Sequence, residues 1–265
     1  MSVQCSLPIL RRGLAVAFAG GLVCGIAAPA LGNATRSDHS IVVHSQRGHT
    51  AFASATAKCP SGEHVRFGGF LNGVAGMHRM ASNTWRVDGY NLGGSANPKS
   101  IRLTSHAYCG RGPAPVERTK TVAITSFGIA TATCPAGKIV TGGGFLASPH
   151  AVLALTRLER VASNKLLVSG YLRYGITKHA KLSAIAYCAS GTAPVRASKT
   201  RTLGGDGGIV RATCPKGTTL SFGGVIAEAS GSEPPLVFEM VAEGADTWKV
   251  RESTAGTLTS LAYCR

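Results

Sequence analysis

The sequence is poor in aromatic and acidic residues. Phe, Trp and Tyr make up 6% of its 265 residues, and 12 Asp and Glu face 28 Lys and Arg, which gives a net charge of +16 at pH 7. Proteins that bind single-stranded nucleic acid stack the bases on aromatic side chains in basic grooves. We therefore expect no nucleic-acid partner.

Patterns for metal binding and catalysis are also missing. The histidines and cysteines form no Cys-x-x-Cys pair or Cys/His cluster of the kind that binds zinc. A glycosidase needs two carboxylates beside one bond, whereas residues 35–190 contain only five acidic residues. We predict no metal, no cofactor and no enzymatic activity, with a hydrolase of dispersed active site as the second alternative.

A long apolar run occurs once, near the N-terminus. Arg11 and Arg12 precede an apolar stretch at 13–30 that is rich in Gly and Ala, and the stretches 28–30 and 32–34 resemble signal cleavage sites. This order is typical of a secretory signal peptide. We expect residues 1–34 to be removed, no transmembrane segment to remain, and the mature protein to be extracellular or associated with the cell envelope.

The rest of the chain repeats one phrase three times: Cys-Pro-x-Gly, a Gly-Gly nine residues after that cysteine, and a closing Ala-Tyr-Cys. An internal repeat indicates repeated structural modules, which we place at 35–113, 114–193 and 194–265. The opening and closing cysteines of the three copies are Cys59 and Cys109, Cys134 and Cys188, and Cys214 and Cys264.

An even number of cysteines in an exported chain indicates disulfide bonds. The threefold repeat leaves two symmetric pairings, either within modules or between consecutive modules with Cys264 returning to Cys59. We favour pairing within modules. Each such bond closes a loop of roughly fifty residues and contributes about 4 kcal/mol in the chain-entropy model.

Alternating apolar and polar residues predict six β-strands in each module and no long helix. Pro and Gly in Cys-Pro-x-Gly predict a turn, and glycines inside the third strand indicate a bulge or the close approach of another backbone. The predicted fold is all-β, with three disulfide-stapled antiparallel modules. Whether they form a closed prism or a row stays open.

The positive charge is unevenly distributed along the sequence. Residues 35–190 contain 18 Lys and Arg against 5 Asp and Glu, whereas residues 191–265 contain 8 against 7. A basic surface attracts polyanions. We therefore expect modules 1 and 2 to associate with an anionic polysaccharide or cell-wall polymer.

Two aromatic residues each precede a cation, and these pairs are the candidate ligand-binding residues. Trp85 precedes Arg86, and Trp248 precedes Lys249. An aromatic face beside a cation can stack on a sugar and hold an anion. The equivalent residue of module 2 is Leu166, which favours a core position, so a lectin is the first alternative function.

The repeated phrases resemble those of secreted tandem-repeat β proteins of high-GC Gram-positive bacteria, over nearly all of residues 40–265. The resemblance implies the architecture and no particular activity. The threefold repetition also resembles, more distantly, β-prism proteins such as the vitelline membrane outer layer protein and some lectins. The leading expectation is a secreted, non-enzymatic protein that associates with anionic envelope or extracellular polymers.

Overall fold

The six-strand pattern predicted for each module recurs three times in the structure. The computed structural model describes residues 35–44, 51–72, 74–91, 100–148, 152–172, 180–232 and 234–265, and the predicted signal peptide lies outside them. These residues contain strands and no helix, so the all-β prediction is confirmed. The strands are β1 Thr35–His44, β2 Ala51–Lys58, β3 His64–Leu71, β4 Val74–Ala81, β5 Thr84–Asn91, β6 Ser100–Gly110, β7 Val116–Ala123, β8 Phe127–Thr133, β9 Ile139–Ala147, β10 Leu153–Ala162, β11 Lys165–Leu172, β12 Lys181–Ala189, β13 Val195–Leu203, β14 Gly208–Thr213, β15 Leu220–Ala229, β16 Val237–Glu243, β17 Thr247–Glu252 and β18 Gly256–Cys264.

Each module divides its strands between two sheets. The first, sixth and third strands of a module form half of one sheet, and the second, fifth and fourth strands form half of another. The first sheet has the order β1-β6-β3-β16-β17-β14, the second β2-β5-β4-β9-β12-β7, and the third β13-β18-β15-β10-β11-β8. Every sheet therefore combines strands of two modules.

The modules close into a ring through the middle of each sheet. The third strand of one module pairs with the fourth strand of another, which joins β3 to β16, β9 to β4 and β15 to β10. Module 3 thus returns to module 1. The result is a three-sided prism in one compact unit rather than an open row, with β3, β9 and β15 in mutual contact around its axis.

The two ends of the prism hold different parts of the modules. Because all the pairings are antiparallel, the Cys-Pro-x-Gly turns, the closing cysteines and the connectors between modules meet at one end, here called the disulfide end. The first, third and fifth strands of each module end at the opposite end, here called the loop end.

The disulfide bonds form within modules, as predicted. Each joins the end of the second strand to the end of the sixth, and these two strands belong to different sheets. A disulfide therefore staples the two halves of its own module at the disulfide end. The pairs are Cys59–Cys109, Cys134–Cys188 and Cys214–Cys264, each with a Cα–Cα distance of 5.6 Å.

The first glycine of each Gly-Gly pair makes room for a large side chain of the same module. A Cβ added to Gly68 would lie 2.1 Å from the Trp85 ring, and one added to Gly223 would lie 1.9 Å from the Trp248 ring. In module 2 the smaller Leu166 occupies this place over Gly143. The glycine and its partner therefore pack the two halves of one module together.

The second glycine makes room for the backbone of another module. An added Cβ would lie 2.1 Å from the carbonyl oxygen of Met240 at Gly69, 2.5 Å from that of Met77 at Gly144 and 2.2 Å from that of Leu158 at Gly224. These glycines stand where the third and fourth strands of different modules pair. The close approach predicted from glycine in the third strand is thus the contact that closes the ring.

The tyrosine of each Ala-Tyr-Cys also joins neighbouring modules. Its buried hydroxyl accepts a hydrogen bond from a backbone N–H on the fourth strand of another module, beyond the third strand of its own. The pairs are Tyr108 with Ala242 at 2.6 Å, Tyr187 with Arg79 at 2.7 Å and Tyr263 with Arg160 at 2.9 Å.

Candidate functional site

The two tryptophans predicted to stack on a ligand are core residues. Trp85 and Trp248 are both 0% exposed, each with its indole pressed over a glycine of the third strand. Trp85 also meets Tyr187 edge to face at 5.8 Å between ring centroids. Neither ring offers a face to solvent, so the sugar-stacking role predicted for them is wrong. The match with Leu166 was the correct signal.

Their basic neighbours lie on the outer faces of the sheets and are held by carboxylates. Arg86 donates from Nε to Asp88 Oδ1 at 2.6 Å and from Nη2 to Ser54 Oγ at 2.8 Å. Lys249 Nζ lies 2.7 Å from Glu239 Oε1. The donors of these two cations are already engaged by carboxylate and hydroxyl groups of the same sheet. This weakens the prediction that Arg86 and Lys249 bind a ligand.

The third sheet carries a comparable ion-pair group. Glu159 is 5% exposed and accepts from Arg157 and from Arg196, each at 2.7 Å. One nearly buried carboxylate thus holds cations on the outer face of each sheet: Asp88, Glu159 and Glu239. Because burial makes an unpaired carboxylate costly, these acids need their cations, and we assign them a structural role.

Strands β7 and β13 carry a second group of cations. The sequence analysis assigned charges to modules but not to particular strands. Both are sheet edges, and nearly all of their residues are exposed. The register aligns Lys120 of β7 with Lys199 of β13, because Val116 pairs with Cys188 as Val195 pairs with Cys264. The cations on these strands are Arg118, Lys120, Arg196, Lys199 and Arg201.

Positive charge is therefore not confined to modules 1 and 2. Module 3 contributes β13, while most of its acidic residues lie on β15, β16 and β17. The net charge of residues 191–265 is close to zero, so it does not reveal that the cations of β13 and most of the acidic residues lie on different strands. The structure places basic edges at two corners of the prism, one from module 2 and one from module 3.

A groove of about 440 Å³ lies on the outer face of the third sheet, at the loop end, where strands of modules 2 and 3 meet. One wall is an aromatic pair, Phe127 and Tyr171, which are 40% and 41% exposed with ring centroids 4.6 Å apart. Thr156 and Ser169, whose hydroxyls lie 2.8 Å apart, and Arg157 also line it.

The opposite wall of the groove comes from module 3. It consists of Glu228 and its neighbours on β15 together with Pro234 and Pro235 from the connection to β16. An aromatic pair beside hydroxyl, guanidinium and carboxylate groups can stack on a ring and hydrogen-bond its substituents. Sequence reasoning missed this site because its walls are distant in the chain. The available signal was the outward parity of Tyr171 opposite Phe127.

Besides Arg79, three arginines with buried N–H groups lie at the disulfide end, also unnoticed in the sequence. They are Arg66, Arg160 and Arg265, and burial lowers the pKa of each from its ordinary value. The pKa of Arg265 is lowered further by Arg160 and Arg66. Arg160 and Arg66 therefore lie near enough to act on the charge of Arg265.

Comparisons with known proteins do not identify the chain. No protein-family model matches it, and no curated protein does. Over the residues that the structure describes, no His, Cys, Asp and Glu residues gather in a group of three or more that could hold a metal ion. No helix in the same residues combines the length and apolar character needed to cross a membrane.

Proposed function

We propose that this is a secreted, non-enzymatic protein that binds anionic polymers of the cell envelope or extracellular space. The observation that carries the proposal is the exposure of the basic edge strands β7 and β13. On each, two cations stand two residues apart on one side of the strand, Arg118 with Lys120 and Lys199 with Arg201. A two-residue step in a strand spans about 7 Å.

These four cations are free to meet a polyanion. They are exposed, and no ion pair with a carboxylate is found for them among the described residues. The cations described above on the outer faces of the sheets differ from these four, because each of them forms an ion pair with a nearly buried carboxylate. The three disulfide bonds are compatible with an oxidising, extracytoplasmic location.

The experiment compares binding to immobilised polygalacturonate for the wild type and for a variant in which Arg118, Lys120, Lys199 and Arg201 are all Gln. We expect the wild type to be retained and released by NaCl, because salt screens exposed charges. The edge-strand variant should elute at distinctly lower salt. Neutral dextran provides the uncharged matrix.

A second variant carries Gln at Lys58, Arg111, Lys165 and Lys216, four exposed cations outside β7 and β13. It has the same net charge as the edge-strand variant. Its retention should stay near that of the wild type. If the two variants lose retention equally, net charge alone explains the binding and the edge strands have no special role. Retention that is absent, or that salt does not weaken, would contradict the proposal.

The groove favours a second candidate function, a lectin-like protein that binds a sugar ring against Phe127 and Tyr171. A glycan array identifies the ligand, and Tyr171→Ala should weaken binding by about tenfold or more, which corresponds to about 1.4 kcal/mol. Val195→Ala removes another exposed apolar side chain, away from the groove, and should leave binding unchanged. An array without hits, or equal binding by both variants, excludes the lectin.

A further inference from the structure

Arg66, Arg160 and Arg265, one arginine from each module, lie at the disulfide end of the prism, where Arg79 and Arg111 of module 1 are also found. Arg66 occupies the bulge in β3, where Val65 and Phe67 face consecutive residues of β6. Its carbonyl oxygen would lie 2.6 Å from a Cβ on Gly142 of module 2, so its backbone stands where third strands meet at the axis. The Arg66 backbone therefore lies at the centre of this end, and its guanidinium extends over the connector of its own module at Gly110 and Gly112.

The other two arginines are tied to the same strand of module 3. Arg160 donates its backbone N–H to the hydroxyl of Tyr263, and its guanidinium lies over that ring, 4.9 Å from the centroid. Arg265 follows two residues after Tyr263, and its backbone pairs with Thr219. Modules 1, 2 and 3 thus contribute Arg66, Arg160 and Arg265.

Each of these guanidinium groups has buried N–H donors without a partner in the described part of the chain. They are Nε of Arg66, Nη1 of Arg160, and both Nε and Nη2 of Arg265. The donors that are engaged reach backbone carbonyls, those of Arg111 and Pro113 for Arg66 and that of Pro194 for Arg160. Carbonyl groups supply hydrogen bonds but no negative charge.

Such an arrangement is costly for a protein by itself. Buried donors without acceptors lose free energy, and like charges brought together disfavour their charged forms. Arginine nevertheless stays protonated in proteins. An acceptor that also carries negative charge would satisfy these donors and offset the repulsion on Arg265.

The three positions are not filled by arginine in every module. The equivalents of Arg66 are Thr141 and Ser221, those of Arg160 are Arg79 and Ala242, and those of Arg265 are Gly110 and Ala189. The fold thus does not require arginine at any of them. The three arginines together form a single site on a scaffold that is otherwise threefold.

We propose that Arg66, Arg160 and Arg265 form a binding site for a tetrahedral oxyanion, a phosphate or sulfate group, at the disulfide end of the prism. Guanidinium groups bind such anions with several directed, charge-assisted hydrogen bonds. Four unpaired donor nitrogens on three side chains can hydrogen-bond an anion with several acceptor oxygens. The site is separate from the edge strands and goes beyond the proposed function.

The experiment follows thermal unfolding of the full protein in 0–10 mM inorganic phosphate, with NaCl holding the ionic strength constant. A ligand that binds only the folded state raises Tm by mass action, so we expect a saturable rise of a few degrees for the wild type. Low concentrations avoid the general stabilisation that such salts give at high concentration.

Arg265→Gln is the decisive variant, because the described residues offer no hydrogen-bond partner for its Nε or Nη2. Without phosphate its Tm should equal or exceed that of the wild type, since repulsion from Arg66 and Arg160 is relieved. With phosphate its Tm should not rise. Arg102→Gln removes an exposed charge from β6 at the loop end and should retain the full response.

A second arm replaces phosphate with polyphosphate and with dextran sulfate, to learn whether the group is free or borne by a polymer. A response to inorganic phosphate assigns a free ion. A response to the polymers alone assigns a polymer-borne group, provided that Arg265→Gln abolishes it. Failure of all probes, or an unchanged response in Arg265→Gln, overturns the proposal, while the edge-strand variant tests the proposed function separately.

Discussion

Contacts inside a module and contacts between modules use different chemical groups. Inside a module, side chains join the two halves: a disulfide at one end and Trp85, Leu166 or Trp248 over the first glycine. Between modules a backbone group takes part at the second glycine and at the tyrosine hydroxyl, beside side-chain packing such as that of Trp85 against Tyr187. A side chain can be exchanged for another of suitable size, whereas a backbone cannot.

The largest expected effect comes from breaking a contact inside a module. Replacing Cys59 and Cys109 together by Ala should lower the free energy of unfolding by about 4 kcal/mol, because the unfolded chain loses a cross-link across some fifty residues. Chemical denaturation of the variant and the wild type measures this difference. A loss of unfolding free energy below about 1 kcal/mol would mean that the pairing of the three modules in a ring holds module 1 together even without its disulfide.

A contact between modules is broken most directly at its glycine. Gly69→Ala should cost about 3 kcal/mol, because the added methyl group meets the carbonyl oxygen of Met240 and the strands must separate. Gly205→Ala, at a position with no heavy atom within 4 Å, is the matched control and should be nearly neutral. Equal unfolding free energies for the two variants would refute the close approach.

The comparison is sharpened by the neighbouring glycine. Gly68→Ala should cost about 2 kcal/mol through overlap with the Trp85 ring. Adding Trp85→Leu, the side chain that module 2 uses, should recover part of that loss, as measured by the coupling in a double-mutant cycle. The same second change should not rescue Gly69→Ala, because the obstacle there is backbone. Rescue of both would erase the distinction.

The smallest effect concerns the tyrosine hydroxyl. Tyr263→Phe removes a hydrogen bond to the Arg160 N–H and should cost about 1 kcal/mol at pH 7. Burial raises the pKa of Tyr263 to about 12. The unfolded chain then loses this proton first, so the wild type loses stability as pH rises above about 10.

Denaturation of the wild type and of Tyr263→Phe between pH 8 and 11 tests the direction of this pH dependence. The stability difference between the wild type and Tyr263→Phe should stay constant up to about pH 9.5 and narrow above it, because phenylalanine does not titrate. Burial also raises the pKa of Tyr187, but that group is present in both proteins and cancels. A difference that widens with pH would contradict a buried, neutral Tyr263.

Much of this fold could be predicted from the sequence because its signals are local. Period-two alternation indicated the strands, Cys-Pro-x-Gly indicated the turns, and the threefold repeat reduced the disulfide pairing to two symmetric alternatives, of which the favoured one is correct. The exchange of strands between sheets could not be predicted. Each pairing of a third with a fourth strand rests on two register pairs and on backbone contacts, which leave no side-chain signature beyond glycine.

The candidate sites were harder to predict for the same reason. The tryptophans stood out by residue type, but their alternation places them on the buried face of β5 and β17. Phe127, Tyr171 and Arg157 become neighbours only when β8, β11 and β10 pair, and their opposite wall belongs to another module. The arginines of the disulfide end come from three modules and share no sequence motif.

The pairing of β3 with β16 has a consequence for how the chain folds. Phe70 pairs with Met240 in this sheet. The pairing spans a longer part of the sequence than either of the other two pairings that join sheet halves. Closing so long a loop costs more entropy than closing the other two pairings, and non-local contacts of this kind slow folding. We expect this seam to form last, leaving β3 an open strand edge until module 3 has been synthesised.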